Sequence, residues 1–386
     1  MFFLLLGQIF LCEAALWTQL LKEDPAHGPA PRLGAAALSM GASLTISGGC
    51  SSSCCYAPLQ DMWTFKESNW VNVSVSGAPS GRLYHGASPA SPPFNYPVFD
   101  YYVFGGDDIQ TGFLDDLFTV SLNLSANPPS AIWKLQDVSV RPPARASHSQ
   151  NALSGGGDLI IFGGENENST LSDAWVFETE SSAWRQLEYS SDPAAASPGP
   201  RVQHAALTVS FPGGVRALIV SGGSDSDGND KNDVWALALD ASPPAWLLLG
   251  SSPSMSSPWP AARHGHALWG GLTGGFTGGV SHLALFLFGG LNSSVPDPAN
   301  FLGDTWRFDV GLVVGADGAL TLEGGVQGRF TPQSDGGPAP GPRALGVYTF
   351  LEEDIIYATG FSGFNGGLDD RLWNDVWSAS APRATL

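Results

Sequence analysis

Charge is scarce in this chain. Only 14% of its 386 residues are Asp, Glu, Lys or Arg, about half the usual ~25%. Positive charge is scarcer still: 17 Lys and Arg stand against 36 Asp and Glu, a net charge of −19. Such a chain repels phosphate backbones and anionic bilayers, so nucleic acid and membrane surfaces are poor partners. Long apolar runs are absent as well, and no stretch reaches the ~18 residues that would cross a bilayer as a helix. What is present is turn-forming. Gly (48) and Pro (29) together make up about a fifth of the chain, high for a globular protein but below the ~25–30% of structureless sequences. With 43% apolar and 11% aromatic residues to bury, this composition points to a packed core built from many short strands.

The first residues form a separate unit. Phe2 to Leu11 is a short apolar run followed by Cys12, Glu13, Ala14 and Ala15, small residues suited to cleavage. Residues 1–14 read as a secretory signal, although no Lys or Arg precedes the run. Residues 15–386 then form the mature chain, expected to be secreted. Four Asn-x-Ser/Thr triplets, at Asn72, Asn123, Asn168 and Asn292, are candidate glycosylation sites on that route. The mature cysteines, Cys50, Cys54 and Cys55, share one loop. They allow one internal disulfide, Cys50 with Cys54 or Cys55, and leave a spare thiol for a disulfide-linked dimer.

An internal repeat governs the rest. Gly-Gly follows an apolar run at 48–49, 105–106, 163–164, 222–223 and 289–290, with a degenerate copy at Thr359-Gly360. Asp-x-aromatic follows each copy: Asp61-Met62-Trp63, Asp116-Leu117-Phe118, Asp173-Ala174-Trp175, Asp233-Val234-Trp235, Asp304-Thr305-Trp306 and Asp375-Val376-Trp377. A later Trp comes next at 70, 133, 184 and 246. An Arg precedes each unit at 32, 82, 145, 201, 263 and 343, and His follows it by three at 85, 148, 204 and 266. The aromatic centres are spaced by 55, 57, 60, 71 and 71 residues. This order of elements resembles the kelch repeat of β-propellers, whose units run to ~50 residues.

The resemblance implies an all-β, six-bladed kelch β-propeller formed as a single domain over 15–386. Each unit is a four-stranded blade that buries its faces only against its neighbours. The sixth unit ends without a fourth strand, whereas Leu16-Trp17-Thr18-Gln19-Leu20 resembles the fourth-strand segments at Trp133 and Trp184. The N-terminal strand is therefore expected to complete the last blade. The fifth unit has no late Trp, and Leu320 or Leu322 is expected in its place. The Asp is expected to bond backbone amides at the turn into the third strand.

In such a ring the loops before the first strand and between the second and third strands share one face, here called the top. Long loops on a rigid scaffold are where binding concentrates. Arg32, Arg82, Arg145, Arg201, Arg263 and Arg343 would ring the top of the channel and offer a docking point to a carboxylate, an acidic sugar or an acidic peptide. The same residues recur wherever the repeat recurs, so structural bonds to neighbouring-blade carbonyls are the competing reading and the stronger one. The four histidines are too widely spread for one metal and read as core hydrogen-bonding groups. Asp225, Asp227 and Asn229 alternate like a calcium loop but lack its distal Glu; a solvated hairpin is the alternative.

No cofactor is expected. The copper site of galactose oxidase, the iron motif of plant specifier proteins, the sialidase boxes and hydrolase motifs find no counterpart. The expected function is an extracellular binding module for a protein or glycan ligand, held by the top-face loops and channel mouth. The alternatives are a carbohydrate-active enzyme of the epimerase or mutarotase kind, and a structural component of the cell surface or matrix.

Overall fold

The computed structural model describes residues 17–22, 27–40, 43–51, 55–90, 98–153, 157–189, 197–252, 258–277, 279–297, 299–333, 339–351, 354–362 and 371–380. The leader at 1–14 and Cys54 lie outside them. The described residues form six antiparallel sheets and a single 3-10 turn at Glu323–Gly325.

Each sheet is one blade, ordered from the channel outward. Blade 1 is Ala36–Met40, Ser43–Ser47, Met62–Lys66 and Asn69–Asn72. Blade 2 is Gly86–Pro89, Val98–Phe104, Leu117–Asn123 and Ser130–Leu135. Its outer edge is covered by Ser74–Ser76, which arrives from blade 1 and pairs in parallel, so this blade has five strands. Blade 3 is Ser149–Ala152, Leu159–Phe162, Ala174–Glu178 and Ala183–Gln186. Blade 4 is Ala205–Ser210, Arg216–Ser221, Val234–Ala238 and Ala245–Gly250. Blade 5 has Ala267–Thr277, Val280–Phe288 and Thr305–Val314, with Leu320–Leu322 and Arg329–Gln333 sharing the outer edge. Blade 6 is Val347–Leu351, Asp354–Ser362, Arg371–Ser380 and, outermost, Trp17–Leu21.

The innermost strands contact one another in sequence, and the sixth returns to the first, so the ring is closed. Closure uses the N-terminal strand as expected: Trp17 pairs with Ala379 and Gln19 with Trp377. A regular aromatic joint shows why this strand fits. In blades 3, 4 and 6 the late Trp seats on the aromatic residue before Gly-Gly in the preceding blade. Trp184 lies 5.1 Å from Phe104, and Trp246 lies 5.0 Å from Phe162. Trp17 lies 4.8 Å from Phe288 and 5.8 Å from Trp269, and so does the same work for blade 6. Such tilted pairs contribute ~0.5–1.5 kcal/mol beyond the area they bury.

Blade 5 departs from expectation. Leu320 is buried, but the residue standing where the late Trp stands elsewhere is Phe330. It pairs with Phe308, as Trp70 pairs with Phe65 in blade 1, and packs 4.8 Å from Trp259. A longer outer connection delivers an aromatic ring to the same place.

Candidate functional site at the channel mouth

The repeated residues come first, because their placement decides what is left for a ligand. Each Arg lies 0–3% exposed and forms a fork with the Asp of its own blade. In blade 3, Arg145 donates to Asp173 at 2.7 and 2.8 Å and to the Gly163 carbonyl at 3.0 Å. Arg32 does the same with Asp61 at 2.6 and 2.8 Å and with Gly48 at 2.9 Å. Arg82 pairs with Asp116, Arg201 with Asp233, Arg263 with Asp304 and Arg343 with Asp375. The expected cationic ring for an anionic ligand is thereby corrected. The guanidinium groups are consumed inside the blades, where an unpaired charge would be costly.

The Asp has a second donor. The indole N–H of its own Asp-x-Trp bonds it in blades 1, 3, 4, 5 and 6, at 2.6–2.7 Å. It adds to the backbone-amide role read from the sequence, since the Asp61, Asp173 and Asp304 carboxylates also accept from their own backbone N–H. In blade 2 Phe118 has no N–H, and Arg82 instead lies 5.5 Å over its ring. Burial alone would raise the carboxyls of Asp61, Asp173 and Asp304, but the Arg and indole donors outweigh it and hold all three below the ordinary range.

The four histidines are interblade wedges. Each His Cε1 packs where a Cβ on the first Gly of the preceding blade would stand, at 2.9 Å for Gly48 and His85 and 2.8 Å for Gly222 and His266. His204 Nε2 meets Ser149 Oγ at 2.9 Å, and His85 Nε2 meets Ser47 Oγ at 3.2 Å. Burial, reinforced by the neighbouring Arg, lowers His85 and His204 to about 3 and puts His148 and His266 well below their ordinary value. All four are neutral.

The calcium reading is also corrected. Asp225 already accepts bonds from the backbone of Asp227 and Asn229 and from the Lys231 ammonium at 2.5 Å. The Lys231 ammonium already supplies the positive charge beside that carboxylate. Cys50 and Cys55 form the disulfide. Of the four glycosylation candidates, Asn72 and Asn168 are exposed, while Asn123 and Asn292 are half-buried.

What remains for recognition is a position that motif reading passed over. Two residues after each Arg, the chain takes a left-handed turn at the mouth of the channel. These residues are Gly34, Tyr84, Ser147, Gln203, Gly265 and Leu345, with φ between 51° and 63°. Each donates its N–H to the same position in the preceding blade: Tyr84 to Gly34 at 2.7 Å, Ser147 to Tyr84 at 3.0 Å and Gln203 to Ser147 at 3.0 Å. Gly265 donates to Gln203 at 2.8 Å, Leu345 to Gly265 at 2.9 Å, and Gly34 back to Leu345 at 3.4 Å. Six backbone bonds thus close a circle. The circle holds four non-glycine residues in a conformation that costs each ~1–2 kcal/mol. No residue type repeats here apart from glycine, which is why the pattern is invisible to a repeat search.

Two cavities follow the axis. One of about 580 Å³ fills the channel between inner strands, among Leu38, Ser88, Gln150, Asn151 and Thr208. One of about 170 Å³ opens at the mouth, among Tyr84, Ser147, His148, Gln203, His266 and Leu345. The polar groups of the channel are tied across blades: Gln150 donates to Ser88 Oγ, Asn151 to the Ala206 carbonyl and Thr208 to the Ala152 carbonyl. The mouth is less committed. The residue after Gly-Gly bridges to the residue before the circle, as in Leu83–Asp107 and Ala146–Glu165. The second-to-third-strand loops therefore rise beside the mouth, on the same face.

The top loops divide by character. In blades 5, 6, 1 and 2, Phe301, Ala344, Leu33, Leu83 and Cys50 form one apolar cluster beneath the surface, with Tyr56 85% exposed beside it. Blades 2 and 3 are acidic, with Asp107, Glu165 and Glu167. Burial raises the Glu165 carboxyl, the Ser147 hydroxyl at 3.1 Å opposes that shift, and the charge on Asp107 adds to it.

Six radial blades, the Arg–Asp fork, the Gly-Gly turn and the histidine wedge define the protein's class: it is a kelch-repeat β-propeller protein. Residues 98–269 match the KLHDC2/KLHL20/DRC7 Kelch-repeats domain. Adagio-like protein 3 of Oryza sativa subsp. japonica is 31% identical over 194 residues, 50% of this chain and 26% of that protein. Tip elongation aberrant protein 1 of Schizosaccharomyces pombe is 32% identical over 295 residues, 74% of this chain and 22% of that protein. The chain spans about a quarter of the length of these two relatives. The solved structure of YjhT superposes with a TM-score of 0.55 at 14% identity, covering 91% of this chain and 95% of that one.

Proposed function

We propose that this kelch propeller is an extracellular interaction module, and that its protein or glycan ligand binds the top-face loops and the channel mouth. A kelch propeller fold is that of a protein-interaction module. One observation carries the finer reading. The repeated side chains are consumed inside and between blades, whereas the mouth positions Tyr84, Ser147, Gln203 and Leu345 differ from blade to blade. Chemical individuality is concentrated on one end of an otherwise uniform scaffold, where binding loops usually lie. The leader-like N-terminus and the exposed Asn72 and Asn168 triplets support the extracellular assignment.

The test is an array of glycans and extracellular proteins probed with the secreted chain. A top-face variant, Tyr56→Ser/Gln203→Ala, should lose the ligand. A bottom-face variant, Glu67→Ala/Glu180→Ala, should keep it. Loss only in the bottom-face variant, or no ligand for the parent, overturns the proposal. Retention of the expressed chain inside the cell, with no mobility change on N-glycan removal, overturns its extracellular part.

A further inference from the structure

Two carboxylates at the mouth lack something that the six repeated aspartates have. Asp61, Asp116, Asp173, Asp233, Asp304 and Asp375 each hold an arginine. Asp107 and Glu165 stand just after Gly-Gly in blades 2 and 3, and neither has a cationic partner among the described residues. Their contacts are the Ile109 backbone N–H on Asp107, at 2.7 Å, and the Ser147 hydroxyl on Glu165. The residue at this register is Cys50 in blade 1, Ser224 in blade 4 and Leu291 in blade 5, so the repeat does not require an acid here. Both acids are half-buried, and their like charges are close enough to interact. The repeat guanidinium groups of the same two blades, those of Arg82 and Arg145, are locked to Asp116 and Asp173.

The mouth cavity, joined to Glu165 through the Ser147 hydroxyl that lines it, leans the same way. His148 and His266 line it, are 9% and 4% exposed, and have no partner on either ring nitrogen. A neutral imidazole keeps one acceptor lone pair. Tyr84 and Leu345 add an apolar wall, and Ser147 and Gln203 add further acceptors. The site combines two uncompensated carboxylates, acceptor-bearing imidazoles and an apolar wall. That combination fits a cationic head on an aliphatic stem, the form of lysine and arginine side chains.

We propose that the mouth anchors a lysine or arginine side chain of a protein partner between Asp107 and Glu165, with its stem against Tyr84. This rests on the interaction-module reading above and gives the partner's chemistry: a basic segment rather than an acidic one. Desolvating two like charges side by side is unfavourable, and a cation brought by the partner offsets that cost in the bound state.

The experiment pans a displayed random peptide library on the intact immobilised chain and on its Asp107→Asn/Glu165→Gln variant. The variant keeps the shape of both side chains, and circular dichroism and the melting midpoint confirm its fold. Peptides selected on the parent should share a Lys or Arg at one fixed position. They should bind the variant about tenfold or more weakly, the size of a lost charge-assisted bond. Replacing that residue by norleucine should remove the difference between parent and variant. Selected peptides with no basic residue that still compete at the mouth would overturn the inference and leave the interaction module standing. Basic peptides that bind parent and variant equally would do the same. A parent that selects no peptide counts against the module reading itself, and the inference falls with it.

Discussion

Trp17 and Thr305 lie 288 residues apart and share a hydrogen bond, the indole N–H donating to the hydroxyl at 3.3 Å. The bond ties the N-terminal strand to the body of the ring, because Trp17 belongs to the outermost strand of blade 6 and Thr305 to blade 5. Trp17→Ala should cost ~3–5 kcal/mol, the usual loss for a buried Trp. Trp17→Phe should cost about 1–2 kcal/mol, since the ring stays and the bond goes. Denaturant unfolding measures both. Equal losses would show that the bond matters more than the aromatic seat.

The Arg145–Asp173 fork invites a double-mutant cycle. Arg145→Leu leaves a carboxylate without its cation and should cost ~3–5 kcal/mol. The double variant Arg145→Leu/Asp173→Leu should lose less than the two single losses added together. Full additivity would mean that the pair is not coupled.

Acid sensitivity has two sources with the same sign. The four buried histidines titrate below their unfolded value of 6.5, with His85 and His204 at about 3. The unfolded chain therefore binds more protons, and stability is full above about pH 6.5 and falls as pH drops toward 3. Each histidine adds up to ~1.4 kcal/mol per pH unit within that window. Asp61, Asp173 and Asp304, lowered by their arginines, extend the loss below about pH 4, where unfolded carboxylates protonate. Unfolding free energies measured from pH 8 to 3 should show the slope, and His204→Gln should remove about one proton of it. A flat profile between pH 6.5 and 4 would contradict the neutral wedge.

Two glycines with similar backbones should respond differently. Gly164 has φ 93°, and a Cβ there would stand 2.6 Å from the Ala146 carbonyl and 2.8 Å from His148 Cβ. Gly213 has φ 87°, with nothing within 4 Å of its Cβ position. Gly213→Ala should cost ~1–2 kcal/mol for the left-handed conformation alone. Gly164→Ala should cost clearly more, because the added Cβ meets the Ala146 carbonyl and the His148 backbone, which cannot swing away as a flexible side chain would. Matching melting shifts would remove the steric argument for Gly-Gly.

Ile109 is β-branched, 40% exposed and held at φ 65° in the top loop of blade 2. Nothing in the core needs its side chain. Ile109→Asn should stabilise the fold by about 1 kcal/mol, since Asn tolerates this conformation. If Ile109 serves recognition, the same change should weaken ligand capture. A destabilised variant would refute the strain.

The sequence alone was sufficient for the blade count, the order of elements and the closing strand. Gly-Gly, Asp-x-Trp and the late Trp each serve a need internal to one unit, so each recurs at its own register. Trp17 was legible because an outer strand carries its own signature wherever the chain places it. The apolar seat in blade 5 was not, since Phe330 reaches it through a longer connection whose length hides the register.

The site was less legible, for a definite reason. Arg145 looked like a free cation in the sequence; only the folded blade brings Asp173 around it. The histidines read as core groups in the sequence, but only the closed ring shows that Gly48 and its equivalents, one blade away, leave room for their rings. The circle from Gly34 through Tyr84, Ser147, Gln203, Gly265 and Leu345 is a backbone device that constrains φ and leaves the side chain open. A repeat writes into the sequence what every unit must satisfy for itself. What neighbouring units share, and what they leave unpaired at the mouth, such as Asp107 and Glu165, is decided only when the ring closes and sets the blades side by side.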